Sequence, residues 1–179
     1  MNSPARTSSP AELDGLLRHF ADLRDGTHGD AVSRGGKERL FEAAVALLDP
    51  YARQALRELD ERLLLGRGEL TATGVRRGPD GGVYAAWRLS WAEQRETGID
   101  PITLLAHYGT GFHHPHVRGA TVGEWPLNVF TDEQAAAELP TLRAIAAADL
   151  HNLVFERDYR IVPATMADAA SAPAEEERA

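Results

Sequence analysis

Val83-Tyr84-Ala85-Ala86-Trp87-Arg88-Leu89-Ser90-Trp91 is the stretch that decides how this chain folds. Val83, Ala85, Trp87, Leu89 and Trp91 alternate with Tyr84, Ala86, Arg88 and Ser90. A period of two is the period of a strand that buries one face. Pro79-Asp80-Gly81-Gly82 just before it is turn chemistry, so Glu69 to Arg77 becomes the partner strand of a hairpin. Pairing across a four-residue loop sets Leu70, Ala72 and Gly74 opposite Trp91, Leu89 and Trp87. Gly74 then makes room for the indole of Trp87.

Helical patterns flank this hairpin. Ser9-Pro10-Ala11-Glu12 has the form of a helix start, and Leu13, Leu16, Leu17 and Phe20 follow at helical spacing as far as Gly26. Thr27 to Gly36 is a Gly-rich loop. A second helix begins near Lys37, with Leu40, Phe41, Ala44, Leu47 and Leu48 as its buried stripe. Asp49-Pro50 ends or kinks it and opens a third, with Ala52, Ala55, Leu56, Leu59 and Leu63 inward and Gly66 as its stop. Asp100-Pro101 predicts another helix, carrying Ile102, Leu104, Leu105 and Tyr108 to Gly109. Thr121 to Phe130 offers short strands kept at an edge by Pro126. Thr131 and Gln134 form a capping box before a last helical region that is interrupted near Pro140 and carries Leu142, Ile145, Ala146, Leu150, Leu153 and Val154. Arg160 to Pro163 reads as a final strand.

Helices, then strands, then helix give an α+β class: one domain, with a small antiparallel sheet (the hairpin near 69–92 plus short edge strands) packed against several helices. Residues 1–8 read as a disordered N-terminus, 9–163 as the single globular domain and 164–179 as a disordered Ala/Glu tail.

Composition narrows the function. The chain has 179 residues, a formal net charge of −8 and no cysteine. An acidic balance argues against nucleic acid or an anionic membrane as partner, because neutralising phosphate needs a basic face. The missing cysteines remove disulfides, thiolate nucleophiles and Cys-based metal sites. No stretch approaches a membrane span and no signal-peptide core follows Met1, so a soluble cytoplasmic protein is expected. There is no Walker loop, no nucleophile elbow around Ser90, and no Gly-x-Gly-x-x-Gly after a strand.

The chemistry lies in Gly111-Phe112-His113-His114-Pro115-His116-Val117-Arg118-Gly119. Residues two apart on an extended segment point the same way, so His114 and His116 can share one ligand, and Pro115 stiffens the pair. Two readings follow. In the first, His114 and His116 bind zinc or non-haem iron, with His107, His151 or Glu156 completing the set, although the spacing matches no established metal signature. In the second, His114 and His116 act as acid or base on a small anionic substrate. Arg118 would hold its charge, and Gly111, His113 and Trp125 would line the site. The rival class is an accessory or interaction protein that docks a protein partner, or a second copy in a homo-oligomer, through the histidine loop and the Trp125 segment. His19 and His28 stand apart in sequence and read as isolated structural histidines. Trp87 and Trp91 read as core, Trp125 as a pocket residue.

Overall fold

The computed structural model describes residues 10–171. The expectations for residues 1–8, for Ser9 as a helix cap and for 172–179 lie outside the described residues. The class is α+β: an open antiparallel sheet of six strands with helices packed against it. The strands are β1 (Glu69–Ala72), β2 (Arg76–Arg77), β3 (Val83–Ser90), β4 (Ile102–Tyr108), β5 (His116–Arg118) and β6 (Trp125–Pro126). They lie in the order β1-β3-β4-β5-β6, and β2 also pairs with β3. The helices are α1 (Ala11–Asp25), α2 (Arg34–Leu59), α3 (Ala92–Thr97), α4 (Asp132–Ala137), α5 (Leu139–Glu156) and α6 (Pro163–Ser171). Helix α6 therefore runs into the segment expected to be a tail.

The hairpin forms, but not in the expected register. Leu70 pairs with Leu89 and Ala72 with Trp87, a slip of two residues. Beyond it Arg76 pairs with Tyr84, so Thr73, Gly74 and Val75 face only Ala85 and Ala86. That extra residue is a β-bulge. Thr73 closes it, its N–H donating to Ala86 O while its hydroxyl accepts from Ala86 N. Gly74 sits at φ +63° with open space around its Cα. Glycine is required there for its backbone conformation, and it makes no room for Trp87. The Trp87 indole N–H instead donates to Asp49 at 2.8 Å.

Four further expectations change. The segment 102–108 is strand β4, not helix. Ile102, Leu104, Ala106 and Tyr108 point to one face opposite Leu89, Trp87, Ala85 and Val83, and all eight are buried. The stretch fits a period of two as well as a helix, and burial between β3 and β5 decides it. Second, α2 does not break at Asp49-Pro50 but runs unbroken from Ser33, whose side chain accepts from Gly36 N at 3.1 Å. Pro50 leaves the carbonyl of Ala46 without its helical donor. Both residues are exposed, so water can serve that carbonyl. Third, a π-helical turn over Asp60–Leu64 adds a residue to the last turn. The inward position moves from Leu63 to Leu64, which is fully buried. Arg160 belongs to a 3-10 turn, Tyr159–Ile161, rather than to a strand.

The core lies between one sheet face and α2 and α5. Phe41, Leu48, Leu56, Trp87, Leu104 and Leu142 are at most 2% exposed. Among the described residues no helix is long and apolar enough to cross a membrane.

Candidate functional site: an imidazole cluster and the Trp125 cleft

Opposite β-sheet partners share a face, so His107 on β4 and His116 on β5, which pair directly, project together from the face away from the core. Their rings stack at 6.0 Å, and Phe112 closes edge-on against both, at 5.5 and 5.3 Å. The loop that carries Phe112 and His113 is clamped from the start of α2. Arg34 donates to the carbonyls of Tyr108 and Gly109 and lies over the Tyr108 ring at 3.5 Å, and Lys37 donates to His113 O.

His114 and His116 each pack against a third imidazole rather than around an open position. His19, from the inward face of α1, lies 5.1 Å from His114 and 6.1 Å from His116. His28, from the loop after α1, lies 5.9 Å from His114 and packs on Phe130. The five rings form a continuous string from His28 through His114, His19 and His116 to His107. Both histidines read from the sequence as isolated thus belong to the cluster. The one local signal was their spacing around a helix end and a Gly-rich loop. The fold that brings them to β5 is not visible locally.

The cluster favours neutral imidazoles. His114 Nε2 lies 2.7 Å from Thr27 O, and since a carbonyl only accepts, that nitrogen carries the proton. Burial lowers the pKa of His19, His114 and His116, and takes His28 down to about 4. Neighbouring imidazoles add to each shift by repelling a second positive charge. Both nitrogens of His28 and Nδ1 of His116 are buried without a hydrogen-bond partner. The Asp22 carboxylate stays 3.8 Å from His28.

At the other end of the string the chemistry opens outward. His107 Nε2 lies 2.7 Å from Glu124 Oε2. Glu124 reaches it from the loop between β5 and β6, which is pinned by a second carboxylate. Asp149, fully buried on α5, accepts from Thr121 N and Oγ1 and from Thr103 N. Glu124 also lines a cleft of about 610 Å³ between this loop, α1 and α5. Trp125 forms its wall, Val122, Ile145 and Ala148 contribute apolar surface, and Glu12 stands on the α1 side. Beside Trp125, the buried carboxyl of Glu138 has its pKa pushed up by burial, against the pull of Thr141 and Arg18. Asp149 and Glu138 gave no pattern in the sequence, because single acidic residues carry no periodicity.

The remaining site residues fall as follows. Arg118 lies with its Nε 3.9 Å from Glu124. Gly111 is exposed, as is the side chain of His113. His151 stacks on Phe155 and contacts Asn152, and shares a shallow recess on α5 with Phe155 and Glu156. Among the described residues no three His, Asp or Glu side chains are grouped so as to hold a metal ion. Comparison of the chain with protein-family models, with curated proteins and with solved structures finds no match.

Proposed function

We propose that this protein is a small enzyme that transfers protons on a substrate bound in the Trp125 cleft, with His107 as the acid/base group. One observation carries this reading: the 2.7 Å contact between His107 Nε2 and Glu124, the carboxylate that lines that cleft. A carboxylate accepting from one ring nitrogen fixes the tautomer, so Nδ1 is left bare and able to take a proton. The same carboxylate stabilises the imidazolium that forms, as in catalytic triads. His116, stacked on His107 and neutral, holds the ring from behind without adding charge. In this reading His114 and His116 support the site rather than carry the reaction. Arg118 sets the position of Glu124 rather than gripping an anion.

Mass-spectrometric profiling of a small-metabolite mixture incubated with the protein tests this. His107→Asn keeps a donor for Glu124 but removes the proton-accepting nitrogen. At least one compound should be converted by the native protein and not by His107→Asn, with both equally folded by thermal unfolding. Conversion at the same rate by the variant overturns the assignment of His107. A second reading, as an interaction module, draws on α1, whose outer face exposes Leu13, Leu17, Phe20 and Leu23.

A further inference from the structure

The cleft beside Trp125 has a charge pattern that selects its ligand. We infer that it takes an organic cation: an ammonium or amidinium group on an apolar, ring-sized body. This rests on the cleft proposed above as the substrate site, and it concerns binding alone.

The cleft's volume, about 610 Å³, is within the range of small-molecule sites. Its lining is apolar apart from Thr141 and two charged residues, Glu12 and Glu124, both negative. No cation lines it. Arg18 is engaged with Asn128, donating to its Oδ1 at 3.0 Å and to its O at 3.1 Å, and Arg118 approaches Glu124 from β5, with its Nε 3.9 Å from the carboxylate. An anion would meet two carboxylates, offset only by the Arg118 guanidinium behind Glu124, and would lose its water for little return. A neutral apolar ligand would fill the space but partly desolvate both carboxylates without replacing the lost hydrogen bonds. An ammonium group between Glu12 and Glu124 replaces that water with charge-assisted hydrogen bonds. The Trp125 ring adds a face that attracts cations. The apolar wall formed by Val122, Ile145 and Ala148 then accepts the rest of the molecule.

Titration with benzylammonium, benzyl alcohol and benzoate, three molecules of one shape and three charges, tests the inference. Binding is read from the Trp125 indole N–H signal in 1H–15N spectra of the full chain. Benzylammonium should bind at least about tenfold more tightly than either of the others, a difference of about 1.4 kcal/mol. Glu12→Gln, outside the proton-transfer pair, should reduce that preference about threefold or more, while His107→Asn should leave binding intact. Equal or tighter binding of benzyl alcohol or benzoate overturns the inference. So does the absence of any shift at about 10 mM ligand, since even a fragment-sized match should register there. Cation binding by a protein that converts nothing would keep this inference and remove the enzymatic reading. Conversion of a substrate without cation preference would do the reverse.

Discussion

Helices α1 and α2 carry the same kind of sequence pattern and solve opposite problems. Both alternate leucines and charges at helical spacing. In α2 the apolar stripe faces the sheet, and Phe41, Ala44, Leu48, Ala52 and Leu56 are buried. In α1 the stripe faces out: Leu17 is 68% exposed and Phe20 56%. The inward side of α1 is Gly15, Arg18, His19 and Asp22, held by polar contacts. Arg18 and Asp22 grip Asn128 from two sides, and Asp22 accepts from Gly29 N. Hydrophobic periodicity therefore establishes that a helix has two faces. Which one turns inward depends on the surface available to it. The surface under α1 is a layer of imidazoles, amides and carboxylates.

The largest expected effect separates the two helices directly. Phe41→Ala on α2 empties a fully buried ring position, and losses for such truncations run to about 3–5 kcal/mol. Chemical denaturation of Phe41→Ala and Phe20→Ala should show the first strongly destabilised and the second nearly native. Comparable losses would mean that α1 is packed through its outer face after all.

That contrast also marks how far the sequence could be read. The hairpin, the buried stripe of α2 and the Thr131 cap follow from contacts a few residues apart, and they are present, with Gln134 N donating to Thr131 at 3.2 Å. The register failed by one residue at the turn, where Arg76 rather than Arg77 pairs with Tyr84, and by one more at Gly74, because a bulge is set by one residue's backbone rather than by the alternation around it. Strand β4 was misread because Asp100-Pro101 imitates a helix start, and its strand character depends on two neighbours distant in sequence. The histidine loop stood out by density alone. Its partners did not: His19 and His28 reach it only once α1 lies across β5 and β6, while His151 lies on a different part of the surface. Pairing between distant parts of the chain decided the site, and no local pattern encodes it.

A second, smaller effect sharpens the comparison through pH. The imidazoles under α1 bind protons more weakly in the folded protein than in the unfolded chain, where they titrate near 6.5. Stability from this source is complete above about pH 6.5 and is lost as pH falls toward the folded value, about 4 for His28. Lys37 from α2 reinforces that shift, whereas Asp22 from α1 opposes it. His116 has Glu124 opposing and His107 reinforcing its own. Between pH 7 and pH 5 the His28 contribution alone is about 2 kcal/mol. Urea unfolding at the two pH values should show that loss, and His28→Gln should flatten it. A pH-independent midpoint would mean that water or solvent ions already pair with these rings. The core around α2 has no histidine to respond, so protection of α2 amides against hydrogen exchange should persist at pH 5 while that of α1 falls.

The smallest expected effect is the most discriminating test of the outward stripe. Leu17→Ser alters a side chain that is 68% exposed, and replaces leucine by a residue only slightly poorer in a helix. With the outer face of α1 in water, the change should stay within about 0.5 kcal/mol in dilute solution. It should also leave the sedimentation coefficient of the native protein unchanged. A loss of 2 kcal/mol or more, about the value of burying a leucine, would show that this face is covered. If that loss grows with protein concentration, the cover is a second copy of the chain, because only association couples stability to concentration. A null result at Leu17 combined with a large one at Phe41 leaves α1 as a helix held by its polar side. That is the arrangement in which protonation of a few imidazoles can loosen it while the core stays intact.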